Sequence, residues 1–82
     1  MTNPPFFHDA SGTVRFWVLI DDVYVGASVG KETLHYRYHA TVSDDDALNT
    51  YTANANAIDA AVRKRVAGGS REPVMLRGAD LA

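Results

Sequence analysis

The sequence predicts an α+β domain in two layers: an antiparallel β-hairpin and one C-terminal strand, packed on one long and one short helix in the order β-β-α-α-β. Three observations lead there. Residues 13–29 alternate apolar and other side chains with period two on either side of Asp21-Asp22. Residues 43–67 repeat apolar side chains at spacings of three and four between an acidic start and a basic, glycine-stopped end. Residues 73–77 alternate once more.

The hairpin has the strongest strand pattern. Val14, Phe16, Val18 and Ile20 share one side, with Thr13, Arg15, Trp17 and Leu19 on the other. If Asp21-Asp22 is a two-residue turn, Ile20 faces Val23, Val18 faces Val25, Phe16 faces Ala27 and Val14 faces Val29. The aliphatic sets then meet on one face, so pattern and register agree. On the other face Leu19 meets Tyr24, and Trp17 lies over Gly26, which leaves room for the indole. Asp-Asp is a poorer tight-turn pair than Asn-Gly because only glycine takes positive φ without strain, so a longer loop is the alternative.

Before the hairpin, Pro4 and Pro5 hold residues 1–12 as an extended arm that carries Phe6 and Phe7, and Ser11-Gly12 is a turn. After it, Gly30 ends the strand and Lys31 to about His39 forms a short helix with Leu34 and Tyr38 on one side. The long helix spans Ser43 to Ala67. Ser43 and Asp46 have capping-box spacing, and Asp44–Asp46 and Arg63–Arg65 complement the two ends of the helix dipole. Its apolar stripe is Leu48, Tyr51, Ala55, Ile58, Val62 and Val66. A straight helix of that span is roughly 35 Å long. Thr50, Thr52, Asn54 and Asn56 are mediocre helix formers, and a kink is expected near them. Pro73 opens the last strand, with Val74 and Leu76 facing one way and Met75 and Arg77 the other.

The chain's 82 residues make one small domain, 1–82, and its stability is marginal at this size. With no cysteine it lacks disulfides and thiolate metal sites, which leaves packing or oligomerisation to compensate. Hydrophobic residues at 46% and charged residues at 22% are a globular balance. A net charge of −2 gives no overall attraction to nucleic acid or an anionic membrane. Met1 to Asp9 lacks the basic start and apolar run of a signal peptide, and Phe16 to Ile20 is too short to span a bilayer. A cytoplasmic protein without membrane contact is expected.

The run Thr13-Val14-Arg15-Phe16, the return strand ending at Val29, Lys31-Glu32-Thr33-Leu34, the polar helix with a basic end and the closing Pro73-Val74-Met75-Leu76 together resemble the small bacterial domain-of-unknown-function family 1488. The likeness runs from about Phe6 to Leu81 and rests on apolar spacing and a strand-to-helix junction. The chain departs from the family pattern at the hairpin turn, where glycine is expected, and at its acidic block Asp44–Asp46. The resemblance implies a small α+β bacterial cytoplasmic domain and brings no activity or site residues.

Candidate chemistry is sparse. His35 and His39 share a helix face, as zinc ligands do, but a site needs at least a third ligand, and only His8 and Asp9 are on offer. Asp44, Asp45 and Asp46 point about 100° apart and suit capping better than a magnesium ion. No GxSxG, P-loop, GxGxxG or HExxH motif occurs. No cofactor, metal or catalytic residue is assigned, and a non-enzyme is expected. Arg63, Lys64, Arg65, Arg71 and Arg77 make the C-terminal third basic, so phosphate contact by a nucleic-acid-binding accessory protein is the alternative reading. Helix-dipole complementation and solubility account for the same charges.

The aromatic face of the hairpin carries the first reading. Trp17, Leu19 and Tyr24 point away from the helix side, so either Phe6-Phe7 and the short helix cover them or a partner does. The expected function is a small non-catalytic interaction or regulatory module that self-associates as a homodimer or docks on another protein through those three residues.

Overall fold

The computed structural model describes residues 4–38 and 46–81, without the Asp46 side chain. The elements are β1 (Phe6–His8), β2 (Thr13–Ile20), β3 (Val23–Gly30), α1 (Lys31–Tyr38), α2 (Asp46–Ala53), α3 (Ala55–Ala67), β4 (Val74–Leu76) and a 3-10 turn over Gly78–Leu81. The strands form one four-stranded sheet in the order β1-β2-β3-β4. The domain is α+β in two layers, with three strands ahead of the helices instead of two. The third strand comes from the arm: three residues are too few to display a period of two, so β1 was illegible before its pairing with β2.

β2 and β3 pair antiparallel in the expected register, from Thr13 opposite Gly30 to Ile20 opposite Val23. The turn is the two-residue form. Asp21 (φ 50°) and Asp22 (φ 66°) both lie in the left-handed region, as a type I′ turn requires. The strand twist selects that turn over the local preference of Asp, which tolerates this region better than most residues. β4 lies parallel to β3, with Ala27 opposite Val74 and Val29 opposite Leu76. A parallel neighbour needs a crossover, and the three helices supply it.

The long helix is broken at Asn54 (φ −119°, ψ 20°). Asn54 Nδ2 donates to the Thr50 carbonyl at 2.9 Å, so the side chain competes for an acceptor of the helical ladder. The expected kink is therefore a break, with helices of 8 and 13 residues in place of one rod. The Tyr51 hydroxyl spans the break and donates to Asp59 Oδ1 at 2.9 Å, while its ring packs 4.4 Å from that of Phe16. Burial pushes the Asp59 carboxyl up from its ordinary value, against the Tyr51 hydrogen bond and the Arg63 charge. Burial first, then Asp59, raises the Tyr51 phenol. α3 ends in a Schellman motif: Ser70 N–H bonds to the Arg65 carbonyl and Gly69 N–H to the Val66 carbonyl, with Gly69 at φ 102°. Ser43, His39 and Asp44-Asp45 lie outside the described residues, so the capping box does too.

The core lies between sheet and helices. Val14, Phe16, Val18, Ala27, Val29, Val74 and Leu76 meet Leu34, Tyr51, Ile58 and Val62. Leu48, Ala55 and Val66, the rest of the expected stripe, pack half-buried against it.

Asp22→Gly relieves one left-handed aspartate and should stabilise the fold by about 0.5–1 kcal/mol in urea denaturation. Asp59 holds its proton to higher pH folded than unfolded, so its ionisation draws stability down as pH rises from its ordinary value through the raised folded one. Asp59→Asn keeps an acceptor for Tyr51 and should flatten that part of the stability–pH curve, just above the ordinary aspartate value. An unchanged slope sinks the assignment.

Candidate interaction surface

All the helices pack on one side of the sheet, and the opposite side carries the candidate surface. The period of two sends Phe6, Arg15, Trp17, Leu19, Tyr24, Gly26, Ser28 and Met75 outward. Among the described residues, the exposed large hydrophobic side chains Phe6, Leu19, Tyr24 and Met75 belong to this face, and Val23 and Tyr36 do not. Leu19 and Tyr24 are each 45% exposed and Met75 64%. Such a concentration of apolar side chains makes this face the candidate interaction surface.

Trp17 is half-buried. Its cover comes from the arm: the Phe6 ring lies 6.1 Å away at 33°. Phe7, the next residue, points to the core, and α1 packs on α2 and the 3-10 turn. Of the two covers the sequence suggested, only Phe6 lies over the indole.

Glu72 joins the face from the far edge. Its Oε2 accepts the Gly26 N–H at 2.7 Å, just before β4 begins. A side chain at position 26 would meet that carboxylate oxygen at 2.9 Å and the indole Nε1 at 3.5 Å. Gly26 therefore makes room for a carboxylate as well as for the ring, which the cross-strand pattern alone did not reveal. Glu72, Phe6 and Met75 are the surface residues the sequence reading left out. Alternation within Val74–Leu76 already pointed Met75 outward, whereas nothing local places Glu72 on Gly26.

The basic residues are divided. Arg63 and Lys64 are exposed on α3, Arg71 in the loop after it and Arg77 after β4. Arg65 is engaged within the chain: Nε donates to Ser70 Oγ at 2.9 Å, and Nη1 to Asp80 Oδ2 at 2.7 Å and the Met75 carbonyl at 3.2 Å. Asp80 Oδ2 also accepts the Arg77 N–H at 2.8 Å, while the Asp80 N–H bonds back to the Arg77 carbonyl. The Arg77 bond, with help from Arg65, holds the Asp80 carboxyl below its ordinary value against partial desolvation. The shallow groove beside Lys64 is lined by Arg65, Ser70 and Asp80, whose polar atoms bond to one another.

The remaining candidates lie apart. The His35 ring contacts Tyr36 edge-on at 5.6 Å, and His8 Nδ1 is 2.7 Å from Ser11 Oγ. Among the described residues no three His, Asp or Glu side chains group as metal ligands do, and no helix is long and apolar enough to cross a membrane.

Arg65→Ala should destabilise the domain by about 1–3 kcal/mol, because it removes three donors and leaves part-buried acceptors behind. Asp80 contributes stability above its ordinary value that is lost as pH falls through its lowered folded one, so the R65A deficit should shrink in acid. A deficit that does not change as pH is lowered well below the ordinary aspartate value contradicts this.

No family model, no curated protein and no solved structure matches the chain.

Proposed function

We propose that this protein is a non-catalytic docking module, a regulatory or assembly component that binds a protein surface through the open side of its sheet. The observation that supports the reading is the outward cluster of Phe6, Trp17, Leu19, Tyr24 and Met75, on the side of the sheet opposite the helices. Aromatic side chains and Met are the residues that interface centres favour, and Trp and Tyr are the commonest energetic anchors. The face is built on paired strands, so its side chains are held in place before a partner arrives and lose little entropy on binding. A small domain also gains stability from covering such a surface.

Solution mass against concentration, read together with iodide quenching of the single tryptophan, tests the proposal. The reading expects an associated species in which the indole is shielded. Trp17→Ala should weaken association about tenfold or more, as removal of a central anchor does. A chain that stays monomeric at every concentration, with an indole already shielded from iodide within the single chain, sinks it.

A further inference from the structure

The outer edge of β4 is a surface distinct from the open face. In a two-residue hairpin the closing pair exchanges both backbone bonds, and such pairs recur at every second residue. With Ile20 opposite Val23, the residues of β3 that bond to β2 are Val23, Val25, Ala27 and Val29. Gly26 and Ser28 therefore turn their N–H and C=O toward β4, and the Gly26 N–H reaches Glu72 on that side. Ser28 stands opposite Met75, and a parallel ladder joins it to the neighbours of Met75, Val74 and Leu76. The backbone groups of Met75 are left pointing away from the sheet, and alternation turns those of Arg77 the same way.

Those outward groups are the ones a fifth strand would use, and the chain occupies them itself. The Met75 carbonyl accepts Arg65 Nη1 at 3.2 Å. The Arg77 N–H donates to Asp80 Oδ2 at 2.8 Å, and the Arg77 carbonyl accepts the Asp80 N–H at 2.9 Å. Arg65 and Asp80 are themselves joined at 2.7 Å, so one ion pair closes the edge at Met75 and at Arg77. Pro73, just ahead of the strand, has no N–H to offer. At the opposite edge Phe6 and His8 stand opposite Arg15 and Thr13, whose backbone groups face β1, so Phe7 is the residue turned outward. Pro4 and Pro5 precede it. Charges, prolines and very short strands are the means by which sheet proteins keep their edges from adding strands.

We infer that Arg65 and Asp80 guard the β4 edge: together they hold the backbone groups that a further strand needs, and their removal lets copies of this chain join edge to edge. Strand addition draws on backbone bonds and asks no particular side chain of its partner. In a solution of this protein the strands on offer are those of other copies. The guard thereby confines association to side-chain surfaces, where one partner can be told from another. Edge and open face are different surfaces, so the inference stands apart from the docking reading above.

Light scattering against concentration, on the full chain carrying Trp17→Ala to weaken association through the open face, tests it. Adding Asp80→Ala takes away the acceptor of the Arg77 N–H and the partner of Arg65. W17A/D80A should associate about tenfold or more tightly than W17A, and exchange of the Met75 amide hydrogen should slow by a similar factor in the associated species. Arg65→Lys in the same background keeps a charge beside Asp80 but lacks the fork that reaches Ser70, Asp80 and Met75 together. It should associate in the same way with the circular dichroism of the folded domain, which separates an open edge from a folding defect. If neither double variant associates more tightly than W17A, the guard is wrong. It is wrong too if they associate while the Met75 amide exchanges as fast as in the monomer, or if D80A associates only where Trp17 is present.

Discussion

Eight cross-strand pairs hold β2 to β3, and every other feature of the domain follows from their register. Side chains on a strand alternate, so pairing Ile20 with Val23 sends Phe16, Val18, Ala27 and Val29 toward the helices and Arg15, Trp17, Leu19 and Tyr24 away from them. A slip of one residue exchanges the two sets on one strand and exposes the aliphatic core, a loss of several kcal/mol of burial. The left-handed Asp21 and Asp22 are the local strain accepted for that register.

Polar ties between elements add to the core contacts. Tyr51 and Asp59 bond across the break at Asn54, so α2 and α3 can both follow the sheet where one rod would leave it. Arg65 ties the end of α3 to Ser70, Met75 and Asp80, and thereby places β4 beside β3. Arg65 thus serves the architecture, while Arg63, Lys64, Arg71 and Arg77 remain exposed. The basic stretch that looks continuous in the chain divides into one anchoring residue and four at the surface.

The open face is the other product of the ribbon. A sheet with helices on one side satisfies its backbone internally but leaves half its side chains without a second layer. Most antiparallel sheets fill that half with polar residues, and this one places aromatics and Met75 there. Phe6 lies over part of the indole, and Glu72 adds a carboxylate held by a backbone amide instead of a flexible surface charge. This outward cluster of aromatic side chains and Met75 on paired strands is the observation that supports the proposed docking role.

Much of this was legible without coordinates. Periods of two and of three to four in side-chain polarity report local backbone geometry directly, and they located β2, β3, α1, the stripe of Tyr51, Ile58 and Val62, and the outward set Trp17, Leu19 and Tyr24. The weak helix formers around Asn54 marked the break for the same local reason. Tertiary structure decided what depends on residues far apart in the chain: that Phe6–His8 is a strand, that β4 joins β3 in parallel, that Arg65 meets Asp80, and that Glu72 lies on Gly26. A short strand exists only through its neighbour, and a contact across 46 positions leaves no periodic trace in either segment.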